Sequence, residues 1–97
     1  MFAVVHLEAV PDHLRGYLSR FLQEIRTGLY VGVVTSTVIE ELWDRTCEAA
    51  KVGTAALVLS DPTLETGFDI HLHRSTSHRV VDLDGIRLPV ERSNTAR

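Results

Sequence analysis

Val10-Pro11-Asp12-His13-Leu14-Arg15-Gly16, then Tyr17 to Arg26, then Gly28-Leu29-Tyr30-Val31-Gly32, is the stretch that decides the fold. Pro11 disfavours helix at Val10 and suits the first turn of a helix that follows. Asp12 puts a negative charge where the helix dipole favours one. Leu14, Tyr17, Leu18, Phe21, Leu22 and Ile25 keep the three- and four-residue spacing of one helical face. Arg15, Ser19, Arg20, Gln23 and Arg26 lie off that face. The spacing predicts one amphipathic helix running to Arg26 and stopped by Gly28. Gly16 inside it costs about 1 kcal/mol relative to alanine. Leu29-Tyr30-Val31 between two glycines predicts a short strand.

Working outward, residues 2–9 alternate as a strand, with Phe2, Val4, His6 and Glu8 on one face and Ala3, Val5, Leu7 and Ala9 on the other. After the central stretch, Thr35, Ser36 or Thr37 caps a second helix, and Thr37 with Glu40 fits a capping box. That helix carries Val38, Leu42, Trp43, Thr46, Cys47 and Ala50 on one side, and Gly53 ends it. Cys47, beside Trp43 on the apolar side, reads as core. Thr54 to Ser60 is apolar on both faces, which implies cover on both sides of the sheet. Two helices cover one side, so a second copy of the chain is the simplest cover for the other. Asp61 to Thr66 is a loop. Gly67 to Arg74 alternates, with Phe68, Ile70 and Leu72 in and Asp69, His71 and His73 out. Ser75-Thr76-Ser77-His78 is a polar link. Val80 to Leu88 reads as a last strand, or a pair of strands around the turn word Asp84-Gly85. Pro89 to Arg97 has little apolar pattern and reads as a frayed tail. The expected fold is an α/β (α+β) two-layer sandwich of the ferredoxin-like kind, with two helices on one mostly antiparallel sheet, homodimeric. Residues 1–88 form its one domain and 89–97 a C-terminal tail.

Composition narrows the function classes. A chain of 97 residues buries somewhat over ~60% of its unfolded surface, a thin core that oligomerisation would thicken. No stretch is long and apolar enough to cross a bilayer, the start lacks the features of a signal peptide, and the single cysteine allows no internal disulfide. These features point to the cytoplasm. Net charge is −3, yet nine of the ten Lys and Arg residues are arginine, the side chain best shaped for phosphate. His13 to Arg26 holds three arginines and one glutamate, and His71 to Arg97 five arginines and three histidines. The acidic total argues against a strong stand-alone nucleic-acid binder but allows local basic stripes.

The chemistry-bearing words are few. Glu8 ends the first strand, where a carboxylate can hold Mg²⁺ with several waters; the plainer reading is a surface carboxylate. His71 and His73 lie two apart on a strand, but nothing at ligand spacing completes a zinc site. His13, Arg15 and Arg20 cluster around the first helix, and Arg74, His78 and Arg79 in the polar link. Either group suits phosphate, and either reads equally as a solvated face. No phosphate-binding Gly-x-x-x-x-Gly-Lys loop, His-Glu-x-x-His or Gly-x-Ser-x-Gly word occurs.

Several longer words then match a family. Val10-Pro11-x-x-Leu14-Arg15-Gly16, Arg26-x-Gly28-x-Tyr30-Val31-Gly32, Glu40 with Trp43, Glu65-Thr66-Gly67-Phe68 and Val81-Asp82-Leu83-Asp84-Gly85-x-Arg87-Leu88 run in order over residues 2–88. The chain resembles the small CRISPR-associated adaptation protein, the Cas-two family, in its subtype I-E branch. The resemblance implies a ferredoxin-like homodimer held between dimers of the Cas-one integrase, binding the double-stranded DNA that becomes a new spacer. It also implies that some members are Mg²⁺-dependent endonucleases on RNA or DNA, with the metal carboxylate at the end of strand one, here Glu8. DNA-contacting positions of the family fall at His13, Arg15 and His78, with Arg79 adjacent. The final strands, which dock onto the integrase, correspond to Val81, Asp82, Leu83, Asp84, Arg87 and Leu88. The chain departs from the family pattern at Val33, Thr37 and Ile39 and in Pro89-Val90-Glu91-Arg92-Ser93, which implies a thinner, partly histidine-based DNA contact. Three functions follow as expectations: a DNA-binding scaffold, a Mg²⁺ nuclease acting through Glu8, and a small-ligand module with a pocket at Trp43 and Tyr30.

Overall fold

The computed structural model describes residues 1–92. In order they form β1 (Phe2–Glu8), α1 (Asp12–Leu18), β2 (Gln23–Arg26), β3 (Leu29–Val33), α2 (Ser36–Ala49), β4 (Thr54–Ser60), β5 (Phe68–His73), β6 (His78–Leu83) and β7 (Ile86–Glu91). The first five strands make one sheet in the order β2-β3-β1-β4-β5, every neighbouring pair antiparallel. Each helix crosses over one intervening strand: α1 joins β1 to β2 past β3, and α2 joins β3 to β4 past β1. This is the α+β, ferredoxin-like connectivity expected. Strands β6 and β7 form a separate two-stranded hairpin.

The core lies between the two helices and one face of the sheet. Ala3, Val5 and Leu7 of β1, Tyr30 of β3 and Ala55 and Leu57 of β4 pack against Leu14, Leu18, Ile39, Leu42 and Ala50. Arg45 lies over the Tyr17 ring at 4.9 Å and ties α2 to α1. Helix α2 begins at Thr35, whose Oγ1 accepts a bond from the Val38 N–H at 3.2 Å, so the cap falls two residues before Thr37. Ile39 is the most core-facing residue of its first turns, at 3% exposure. Burial pushes the half-buried Cys47 thiol pKa up, with Asp44 adding to the rise, which suits a core residue.

The central stretch corrects the one-helix reading. Helix α1 stops at Leu18, and Gln23 to Arg26 is an edge strand. Phe21 and Ile25 continue the helical spacing, yet they are 40% and 56% exposed. Leu22 explains the break. Its N–H and that of Phe21 turn back onto the Leu18 carbonyl, and its side chain is buried over Gly32. A Cβ at Gly32 would meet Leu22 Cδ2 at 2.8 Å, so the glycine makes the room. Burying a leucine is worth ~1.5–3 kcal/mol, whereas helix propensity separates ordinary residues by at most ~0.7 kcal/mol each. Tertiary burial therefore wins. Gly28 is the turn of the β2–β3 hairpin, at φ +83°, instead of a helix stop.

Three further expectations change. Ile70 and Leu72 of β5 share a face with Val58 and Ala56 of β4, the face away from the helices, while Asp69, His71 and His73 lie on the helix side. Tyr30 is fully buried and shares no cavity with Trp43, so no pocket joins them among the described residues. At the C-terminal end, β7 runs past position 88 to Glu91, where Pro89 pairs with Val80 and Glu91 with His78. Proline is tolerated there because each strand of a hairpin has an unpaired edge. The remainder of the expected tail, 93–97, lies outside the described residues.

Candidate nucleic-acid interface

The face of the sheet away from the helices is apolar along most of its length. Val31, Val4, Val58 and Ile70 run side by side across β3, β1, β4 and β5, and Leu29, His6, Ala56 and Leu72 form the next row. Phe2 and Val33 make the row at the far end. Phe2 is 50% exposed, Val33 77% and Val58 38%. Polar side chains on this face are few: His6, Glu8 and Thr54 at one end, Ser60 beside Phe2 at the other, and Gln23 opposite Val31 on the edge strand.

Glu8 lies on that open face at the end of β1, opposite Thr54, whose hydroxyl donates to Glu8 Oε1 at 3.3 Å. It lines a cavity of about 290 Å³ with His6, Ser77 and His78. The structure thus brings together Glu8 from the first strand and His78 from the last hairpin. His78 is set by three bonds: Nδ1 meets Ser77 Oγ at 2.8 Å, its N–H donates to Ser75 Oγ, and its carbonyl accepts from Arg92 Nε. Among the described residues no three His, Cys, Asp or Glu side chains converge to hold a metal ion. Mg²⁺ takes oxygen ligands, and here one carboxylate stands beside imidazoles. Within one chain Glu8 is the one carboxylate lining this cavity, and a second copy across a two-fold axis would add another.

Arg15 is already engaged. Its Nη2 donates to Glu24 Oε2 at 3.1 Å, and the same oxygen accepts from the Gly28 N–H at 2.9 Å. The buried Tyr30 hydroxyl lies beside the pair and raises the Arg15 pKa, with Glu24 adding to it. Glu24 is the residue sequence reasoning missed, because on a continuous helix it would face solvent, four residues from Arg20 and eight from Gly16. The Gly28 N–H is the main cause holding the Glu24 carboxyl below its usual value, with Arg15 a lesser one. A carboxylate whose pKa is depressed on folding contributes stability above its unfolded value, near 4.5, and that contribution is lost as pH falls through the folded value. The urea midpoint of the protein should therefore fall more steeply on acidification below about 4.5 than that of Glu24→Gln. Equal slopes for the two proteins would show that the turn draws no stability from the ionised form.

The other expected contacts are scattered. His13 is exposed on the first turn of α1. Arg20 is carried to the opposite end, where it lines a separate cavity with Met1, Phe21 and Val33, so the expected His13–Arg15–Arg20 cluster is not continuous. Arg79 is exposed on β6 and forms no ion pair among the described residues. In the hairpin expected to dock a partner, Asp84 and Gly85 make a left-handed turn, φ 55° and 86°, and Asp82 Oδ1 accepts from the Gly85 N–H. Leu83 is 55% exposed at its tip, and Val81 faces Leu88 across the ladder. Arg87 is turned inward: Nε pairs with Asp69 Oδ1 and Nη2 donates to the Ile70 carbonyl at 3.0 Å, clamping the hairpin to β5.

A profile of the family described as CRISPR-associated protein (Cas_Cas2CT1978) matches residues 2–88, from the first strand into β7. The chain belongs to this family. Membership of Cas_Cas2CT1978, a Cas2-type family, gives the protein a role in CRISPR adaptation and so in antiviral defence, with Cas-related proteins as partners. Among the described residues no helix is long and apolar enough to cross a membrane.

Proposed function

We propose that the protein is the DNA-binding scaffold of spacer integration in a subtype I-E system. Two copies close their open sheet faces on each other, the dimer holds a DNA duplex, and it bridges dimers of the Cas-one integrase through the β6–β7 hairpins. The observation that carries this reading is the uncovered apolar face, with Phe2, Val33 and Val58 open to water in a Cas2-type chain. Exposed patches of this kind mark association surfaces. Dimerisation doubles the set of Arg15, His13, His78 and Arg79 and extends it into a track that a single acidic chain lacks.

Arg15→Ala tests the DNA contact. In a mobility or anisotropy titration over a range of salt, the variant should bind duplex more weakly and its log–log salt slope should shrink by ~1 per phosphate contact removed from each copy. An unchanged slope would remove Arg15 from the interface. The Arg15–Glu24 pair must open or rotate to admit phosphate, so Glu24→Gln should bind duplex at least as tightly as the unsubstituted protein.

The location of Glu8 supports a second reading, a Mg²⁺-dependent endonuclease on RNA or DNA with Glu8 from each of two copies. It stands on the open face, at a strand end, lining a cavity with His78. Cleavage that needs added Mg²⁺ and disappears in Glu8→Ala would favour this reading; cleavage surviving in Glu8→Ala would end it.

A further inference from the structure

We propose that the chamber between α2, β5 and the β6–β7 hairpin binds one unstacked nucleotide, with its phosphate on the arginines and its base against Trp43. The choice of ligand rests on the nucleic-acid reading above, which this inference deepens. The chamber holds about 240 Å³ and is lined by Trp43, His71, Arg74, Arg79, Arg87 and Arg92. A second cavity of about 230 Å³, over Leu57 and Leu59, also has Trp43 and His71 in its wall. Each alone is below the ~300–1,000 Å³ of a drug-sized pocket. Together they suit one nucleotide, with a cationic half and an apolar half meeting at the indole.

Four guanidinium groups converge on this chamber, and the carboxylate bound to them is that of Asp69, which is taken by Arg87 and by His71 at 3.1 Å. Arg92 is held in place from one side: Nε donates to the Ser75 carbonyl at 3.0 Å and to that of His78 at 3.2 Å, and its backbone N–H donates to Ser77. Its two Nη groups enter no hydrogen bond or ion pair among the described residues. A guanidinium fixed through Nε with its Nη edge available is a fork ready for phosphate. Arg74 has φ +60°, an uncommon conformation for a residue with a side chain. It turns the chain out of β5 at the chamber mouth. The Trp43 and His71 rings, 6.2 Å apart and inclined at 50°, form the opposite wall. Stacking on an aromatic ring needs an open base face, which a base inside a duplex does not offer. The ligand is therefore a strand end or a free nucleotide. Glu40 and Asp44 rim the apolar half and keep phosphate on the arginine side.

Trp43 is the only tryptophan, so its fluorescence reports this chamber directly. The full chain is titrated with deoxyadenosine 5′-monophosphate, a 5′-phosphorylated dinucleotide, deoxyadenosine and inorganic phosphate. Saturable quenching by the monophosphate or the dinucleotide is expected, with deoxyadenosine about tenfold weaker or more, and inorganic phosphate should compete. Tighter binding of the dinucleotide identifies a strand end as the source; tighter binding of the monophosphate identifies a free nucleotide. Arg79→Gln, at an exposed position, and Arg92→Gln should each weaken binding by about fivefold or more, with circular dichroism confirming the fold. The inference is overturned if neither phosphorylated ligand quenches, if deoxyadenosine matches them, or if both arginine variants bind as tightly as the original. Blunt duplex binding by the same preparation separates the two claims. Duplex binding without quenching removes only the chamber, and quenching without duplex binding removes the scaffold reading.

Discussion

Val58→Glu is expected to yield a folded monomer that no longer binds duplex DNA at concentrations where the unsubstituted protein does. Val58 is on the middle row of the open face, between Val4 and Ile70, and is 38% exposed in the single chain. A glutamate there can reach water in a monomer, so the fold should survive. Against a second sheet it cannot. The two-fold relation of a homodimer places the change twice in one interface. An unpartnered polar group removed from water costs ~2 kcal/mol at the low end, and the carboxylate doubles this across the axis. About 4 kcal/mol corresponds to a dimer constant weakened on the order of a thousandfold. Val52→Glu supplies the control: Val52 is 78% exposed in the turn after α2, away from the face. It adds the same charge and should leave both mass and DNA binding unchanged. Duplex binding lost equally in both variants would trace the effect to charge alone.

Gly28→Ala should destabilise the chain by about 3 kcal/mol or more, combining a left-handed backbone with a steric clash. Gly28 adopts φ +83°, and a Cβ there would lie 2.5 Å from the Leu7 carbonyl oxygen. The same residue accepts the Leu7 N–H at 2.8 Å and donates to Glu24, so the hairpin, the central strand and the Arg15–Glu24 pair all move together. For a domain of this size the melting temperature should fall by ~12 °C or more. Gly16→Ala makes the contrast. Nothing lies within 4 Å of a Cβ at Gly16, so alanine should stabilise α1 by up to ~1 kcal/mol. Thermal melts of the two variants in parallel decide the matter; a Gly28→Ala protein melting like the original would mean the hairpin turn is not built this way.

How much was legible in the residues follows from what each pattern measures. The alternation of β1 and the both-sided apolar run of β4 were readable because burial on a sheet imposes a period of two. Helix α2 was readable from its stripe, and its cap, Thr35, is one of the three positions the residues offered. Strand β2 was not readable: all four residues are exposed, so burial writes no alternation into it. Its existence depends on Leu22 finding room over Gly32 and on Gly28 closing a hairpin, both contacts between distant positions. The hairpin was foreshadowed by Asp84-Gly85, a turn word whose chemistry is local. For Arg87 the family resemblance implies a docking role, and its pairing with Asp69 could not be seen in the residues, because Asp69 lies across a loop and a strand. The convergence of Arg74, Arg79 and Arg92 on Trp43 was likewise invisible, since α2 and the hairpin meet only through β5.

The proposed assembly requires two sheets closing over one another, and the mass of the purified protein in solution tests that directly. Sedimentation equilibrium at micromolar concentration should give about twice the 10.8 kDa of one chain. A single species of 10.8 kDa that stays soluble with its open face in water would contradict it.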